Sequence, residues 1–317
     1  MIDKITLTKT GLSQPEIKRI VEYNKLQTNT KAGILYYDNM ITKNLEQDKG
    51  VYIRIEPGGR LKIECSLHKY YNETINKLGR VNYNAFSMLQ ARETLIKLLN
   101  DKQIVIIETN VYYYEIGLNL PLSNDCRTYM DKMKSIGMQG NNREFIPHQR
   151  YKDKREKTTL FHKDIRKYYK VYDKVFEMID RKKEIPRDND NILRIETVNR
   201  RISNQTAEKF FEQNNLNKLK AQFIKDWQTL KFDKILIVPK GTNERKRELC
   251  KRILEKGTET VLNNAREQSK TGVISQKTFR GIREFIQNDW DKIKTELRLE
   301  STQEEKEFKT VFIWLCK

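Results

Sequence analysis

Residues 51–66 alternate between apolar and polar positions. Val51, Ile53 and Ile55, then Leu61, Ile63 and Cys65, share one side, and Pro57-Gly58-Gly59 stands between the two runs. Period-two alternation broken by a proline–glycine turn predicts a β-hairpin with one wet face. A helix is expected from about Asn84, with Met88, Leu89, Ile96 and Leu99 on one stripe. The apolar run 104–107 reads as a buried strand continuing to about Tyr112. A second helix is expected from Ser123 or Asn124, carrying Tyr129, Met133 and Ile136 and stopping at Gly137. Residues 141–157 read as a loop or arm. After it come a hairpin of 158–162 and 166–172, a short helix from Lys174 to about Arg181 closed by Pro186, and a strand over 192–198.

Beyond about residue 203 the period becomes helical. Leu219, Phe223 and Trp227 repeat every four residues. Thr242 is a candidate N-cap for a helix using Leu249 and Ile253. Ser275 is another, with Phe279, Ile282, Ile286, Ile293 and Leu297 turned inward. The run 235–238 fits a lone strand or a buried linker. The expected fold is α+β: an antiparallel sheet with helices packed on one side over residues 1–202, then a mainly α-helical domain over 203–317.

Charge adds a partner to this outline. The 317 residues carry a formal charge of +19, and 131–170 alone hold 12 basic against 5 acidic side chains. Interleaved there are Phe145, Tyr151, Phe161, Tyr168 and Tyr169. Cations neutralise phosphates while aromatic faces stack on unpaired bases, so single-stranded or distorted nucleic acid is the expected ligand. Arg150, Lys152, Lys163, Arg166, Lys167, Lys170 and Arg194 are the residues expected to hold it. The start of the chain has no apolar signal-peptide core, and no apolar run approaches the ~20 residues needed to span a bilayer. Four widely spaced cysteines, with no CxxC, fit reduced thiols. A cytoplasmic protein without membrane partners is expected.

Three histidines stand singly, and no phosphate-loop or dinucleotide glycine pattern is present, so any chemistry falls to carboxylates, tyrosine or lysine. Glu108 follows an apolar run. Glu196 sits within LRIETV, two residues after Arg194 and on the same side of a strand. Tyr172 ends RKYYKVY and is followed by Asp173, Lys174 and, one turn on, Glu177. Two carboxylates and a tyrosine on neighbouring strands can hold Mg²⁺ or Mn²⁺ and attack a phosphodiester. A phenol with a pKa near ~10 needs help from Lys174 or a metal. Each part also has an ordinary structural explanation: Arg194–Glu196 as an ion pair, Tyr172 as sheet packing.

A set of segments resembles one family. MIDKITLT at the start, SLHKYYNET (66–74), IIETN (106–110), KYYKVYDKVFE (167–177), NILRIETVNRR (191–201) and, more loosely, KTGVISQKTFRGIRE (270–284) are similar, in order and spacing, to phage and plasmid replication initiators of the filamentous-phage gene II type. The resemblance covers most of residues 1–201. It implies rolling-circle replication: nicking of one strand at an origin, a tyrosine joined to the 5′ phosphate, and a freed 3′ hydroxyl that primes synthesis. It also implies Tyr172 as nucleophile, Lys174 as its assistant, and Glu108 and Glu196 as ligands of a divalent metal. Origin duplex, single-stranded DNA, and host helicase and polymerase are the implied partners. Where the family carries an arginine–aspartate pair this chain has Ile107-Glu108, which motivates a second expectation, a DNA-binding protein without catalysis. A relaxase or transposition nickase is a third, and Tyr168, four residues before Tyr172, is an alternate nucleophile.

Overall fold

The computed structural model describes residues 1–39, 50–138, 140–148, 155–159, 164–181, 191–203 and 205–316. It is a mixed α+β protein with a large antiparallel sheet. The chain divides into two compact units, Met1–Lys231 with Glu307–Lys317, and Phe232–Lys306.

Eleven strands of the first unit, counted among the described residues, form one sheet. They are β1 (Ile2–Lys9), β2 (Gln27–Lys31), β3 (Ile34–Asp38), β4 (Tyr52–Glu56), β5 (Arg60–Ser66), β6 (Asn110–Pro121), β7 (Met133–Ile136), β8 (Arg143–Pro147), β9 (Glu156–Thr159), β10 (Lys167–Asp173) and β11 (Ile192–Arg200). Their order is β7-β8-β9-β10-β11-β6-β1-β5-β4-β3-β2, every neighbouring pair antiparallel. The β4–β5 hairpin forms as its alternation predicts, with Ile53, Ile55, Leu61 and Ile63 buried. Its turn needs Gly59: φ is +70°, and a Cβ there would meet the Leu12 carbonyl oxygen at 2.5 Å, where Leu12 N–H donates to Gly59 O.

Register sorts the side chains of the central strands into two faces. On one, Val171, Ile195 and Leu118 stand in a row, next to Tyr169, Thr197 and Ile116. This face is covered by aromatic packing. The Trp227 indole donates to Thr197 Oγ1 at 3.0 Å, and Tyr169 and Phe145 rings lie 5.7 and 6.3 Å from it. Trp227 belongs to a helix over Gln213–Gln228, whose Phe223 also meets Phe312. That is why the first unit runs on to Lys231 instead of ending at 202: these helical residues cover the sheet's apolar side. Phe145 and Tyr169 are therefore core residues, while Tyr151 and Phe161 lie outside the described residues.

Several local expectations change. The first long helix starts at Met88, where Ser87 and Gln90 form a reciprocal capping box, and runs to Asp101. Leu89 and Ile96 are exposed on it; Ala91, Leu95 and Leu98 are buried instead. Residues 106–108 form a single 3₁₀ turn, not a strand, and the long strand β6 begins after it. The segment expected as one helix to Gly137 is a helix over Cys126–Lys132, capped by Asp125, followed by β7. Met133, Ser135 and Ile136 are buried there while Lys134 is exposed, a pattern compatible with both periods. The described parts of 141–157 hold strands β8 and β9, not a loop.

The second unit holds helices Glu244–Lys256, Thr258–Lys270 and Gln276–Glu284. Its core is Leu249, Cys250, Ile253, Val261 and Phe285, with Ile282, Ile286, Ile293 and Leu297 packed against it. Ser275 caps the third helix as expected, and Asn243, not Thr242, caps the first. The run 235–238 becomes a strand, Lys234–Ile237, paired with Arg298–Ser301.

Candidate active site

The other face of the central strands is polar. Tyr172, Arg194 and Asn119 form one row across β10, β11 and β6. Lys170, Glu196 and Gly117 form the next, and Tyr168, Val198 and Glu115 the third. Strand alternation alone brings Tyr168, Lys170 and Tyr172 to one side, as it does Arg194 and Glu196.

Glu196 is the hub. Its Oε1 accepts hydrogen bonds from Tyr172 Oη at 2.9 Å and Arg194 Nε at 2.6 Å, and its Oε2 pairs with Lys170 Nζ at 2.6 Å. Burial would push the Glu196 carboxyl up, but Lys170 and Arg194 outweigh it and hold it below the usual range. Lys170 also reaches Glu115 at 3.3 Å. Despite its own burial, these two carboxylates keep it firmly protonated.

Arg194 bridges two carboxylates. Its Nε serves Glu196, its Nη2 pairs with Asp3, and its Nη1 donates to Asn119 Oδ1 at 3.0 Å. Asp3 also accepts from Ser66 Oγ at 2.6 Å and Asn82 Nδ2 at 2.7 Å. The guanidinium lies directly over Gly117, where a Cβ would come within 2.6 Å of Nη2. A glycine in mid-strand usually weakens it; here it opens the space Arg194 occupies.

Lys174 opens the helix over Lys174–Asp180, which Asp173 caps through Phe176 N–H. It is buried, with Nζ bonded to Glu177 at 2.7 Å and Asn82 Oδ1 at 2.8 Å, and 6.0 Å from the centre of the Tyr172 ring. Burial and the nearby Arg194 charge lower its pKa to about 8, against the opposing pull of Glu177. Tyr172 itself is pushed well above an ordinary phenol by burial and by the Glu196 charge, so it is held as a neutral donor. Beside it is a cavity of about 280 Å³ lined by His148, Arg155, Lys170, Phe176, Glu177 and Arg181.

Five of the residues expected from sequence thus meet: Tyr172, Lys174, Glu196, Lys170 and Arg194. Glu108 does not join them. It is half-exposed on the 3₁₀ turn and pairs with Lys9. Asn110, just beyond it, stands opposite Thr8, while Gly117 stands opposite Glu196. Seven residue steps along the strand between those rows separate them by roughly 23 Å at about 3.3 Å each. Arg194 is buried within the charge network instead of facing a ligand. Lys167 points to the opposite face and pairs with Asp226. Arg166 is exposed; Arg150, Lys152 and Lys163 lie outside the described residues.

A divalent ion held by Glu108 and Glu196 does not fit these residues. Such an ion takes several oxygen ligands at 2.0–2.6 Å. Both oxygens of Glu196 and both of Asp3 are already engaged by cations or donors, and Arg194 stands between the two carboxylates where an ion would have to bridge them. Among the described residues, no three His, Cys, Asp or Glu side chains converge as metal ligands.

Asp3, Asn82, Glu115 and Gly117 complete the site without having been singled out. Glu115 carries the signal that drew attention to Glu108, a carboxylate inside an apolar run (VYYYEIGL), and Asp3 interrupts the first strand the same way. No protein-family model matches the chain, and no curated protein matches it either. No helix among the described residues is long and apolar enough to cross a membrane.

Proposed function

We propose that the chain is a rolling-circle replication initiator of a phage or plasmid, nicking and rejoining one DNA strand at an origin through Tyr172. The observation that carries this reading is the hydrogen bond from Tyr172 Oη to Glu196, on a polar sheet face beside a cavity lined by Arg155, Lys170 and Arg181 together with Glu156, Asp173 and Glu177. The resemblance of KYYKVYDKVFE and LRIETV to such initiators points to the same residues. The fold would serve as a platform, with helices against one side of the sheet and a helical C-terminal region contributing origin contacts.

In the proposed step, Tyr172 Oη attacks the phosphorus and its proton passes to Glu196. The P–O3′ bond breaks, and the departing 3′ oxygen takes a proton from the Lys174 ammonium. The 5′ phosphate remains on the tyrosine, and reversal reseals the strand. Lys170 and Arg155 offset charge growing on the non-bridging oxygens. The freed 3′ hydroxyl would prime a host polymerase behind a helicase, in the cytoplasm of a bacterial host. No step is routed through a metal, because the donor set does not fit one.

The test is a denaturing gel of the protein after incubation with labelled single-stranded DNA and with supercoiled origin plasmid, in Mg²⁺, Mn²⁺ or chelator. A covalent protein–DNA band that Tyr172→Phe abolishes supports the reading. The engagement of Tyr172 and of both Glu196 oxygens by neighbouring donors or cations favours a second one, a DNA-binding protein in which this network only holds strands together. Salt-sensitive binding with no adduct under any condition would select it.

A further inference from the structure

We propose that the polar sheet face carries a track for single-stranded DNA, built from Lys4, Lys62, Tyr113, Tyr168, Arg200 and Arg201 and leading to Tyr172. The inference rests on the reading that single-stranded DNA is the ligand, and the track meets the charge network at one point, where Tyr113 Oη donates to Glu115, the carboxylate that Lys170 links to Glu196.

Register places them together. Arg200 stands opposite Tyr113, Tyr113 opposite Thr6, and Thr6 opposite Glu64. Tyr168 and Tyr172 share one side of β10, about 13 Å apart at 3.3 Å per residue. The six residues line a cavity of about 360 Å³ that has no aliphatic side chain in its wall. Four cations face one carboxylate there, Glu64. That carboxylate is paired with Lys62 at 2.7 Å, and Arg201 reaches Asp164 at 3.7 Å. The first pair is partly exposed and the second exposed, so both are weak and a phosphate can compete for either cation. Exposed Lys4 lies 5.6 Å from the Tyr113 ring centre. An aliphatic ligand finds no aliphatic side chain to pack against on such a wall. Cations interleaved with tyrosine rings match a strand whose phosphates need neutralising and whose unpaired bases need a flat partner.

The experiment uses Tyr172→Phe protein, so that covalent capture cannot contribute, and measures anisotropy of a labelled oligo(dT) across a salt series. Lys4→Gln/Arg201→Gln removes two exposed charges from the track. It should weaken binding about tenfold and make the slope of log affinity against log salt shallower by about 1.4, two phosphates at about 0.7 each. Lys218→Gln/Lys225→Gln removes two exposed charges from the helix over Gln213–Gln228, which covers the opposite face, and should leave the slope unchanged. Tyr168→Leu should cost about tenfold in affinity with the salt slope intact, as loss of stacking does. Equal effects from the two charge pairs, or parental binding by the track pair, would overturn the proposal. Track-dependent binding without any adduct from the unsubstituted protein would leave the track standing and defeat the catalytic reading. An adduct that forms normally after the track is removed would do the reverse.

Discussion

The two faces of β10, β11 and β6 are built from the same three strands and hold together by different means. One is a hydrophobic surface. The row of Val171, Ile195 and Leu118 lies next to that of Tyr169, Thr197 and Ile116, and of the two hydroxyl groups in those rows the Thr197 one is matched to the Trp227 indole. The other buries charge: Asp3, Lys174, Arg194 and Glu196 are each under 9% exposed, and each is stabilised only because its neighbours carry the opposite charge or a hydrogen bond. Removing an apolar atom leaves a void, whereas removing one charge leaves another unpaired in low dielectric. A protein concerned with stability alone gains little from the second arrangement, since an apolar replacement of similar volume is often as stable. That is why the polar face reads as the working one.

The sharpest way to break this contrast is Arg194→Met. It leaves Asp3 and Glu196 buried without their shared cation and should cost about 3–5 kcal/mol in denaturant unfolding. Ile195→Ala, the next residue on the opposite face, should cost about 2–5 kcal/mol through a cavity. The charged-face variant should also change the pH dependence of stability, and the apolar one should not. Asp3 and Glu196 have folded-state pKa values below their unfolded ones, so their contribution is present above about pH 4 and fades as pH falls through the folded values. Arg194→Met should flatten that acid limb.

Lys174 works in the other sense. Its folded pKa of about 8 lies below that of an unfolded lysine, so stability should rise with pH from about 8 towards 10 as the unfolded chain holds the extra proton. A buffered unfolding series of wild type against Lys174→Met would show this rise only in the wild type. The smallest effect belongs to Glu108→Gln. Its pair with Lys9 is half-exposed, so stability should change by less than about 1 kcal/mol, and adduct formation should be untouched.

Much of the polar face was legible in sequence because strand alternation is local. LRIETV puts Arg194 and Glu196 on one side wherever β11 sits, and KYYKVYDK does the same for Lys170 and Tyr172. Which strands lie beside one another is not local. That β6 and not the 106–108 turn adjoins β11 follows from pairing across more than seventy residues, and it decides between Glu115 and Glu108 as the acid near the site. The Asp3–Arg194 pair joins β1 and β11, far apart along the chain, for the same reason. The division of the chain was misread at 202 because the helix over Gln213–Gln228 has the period of any amphipathic helix, and nothing in that period says that Trp227 covers Thr197. Gly117 was invisible until Arg194 was seen lying over it.

The central claim is that Tyr172 forms a covalent bond to DNA. It is tested most directly by incubating wild type, Tyr172→Phe and Tyr168→Phe with 5′- or 3′-labelled single-stranded origin DNA and resolving the products on a denaturing gel. A protein-linked band formed by wild type and Tyr168→Phe but absent from Tyr172→Phe, carrying the strand through its 5′ phosphate, is the expected result. A band of equal strength from Tyr172→Phe, or none from any of the three, would contradict it.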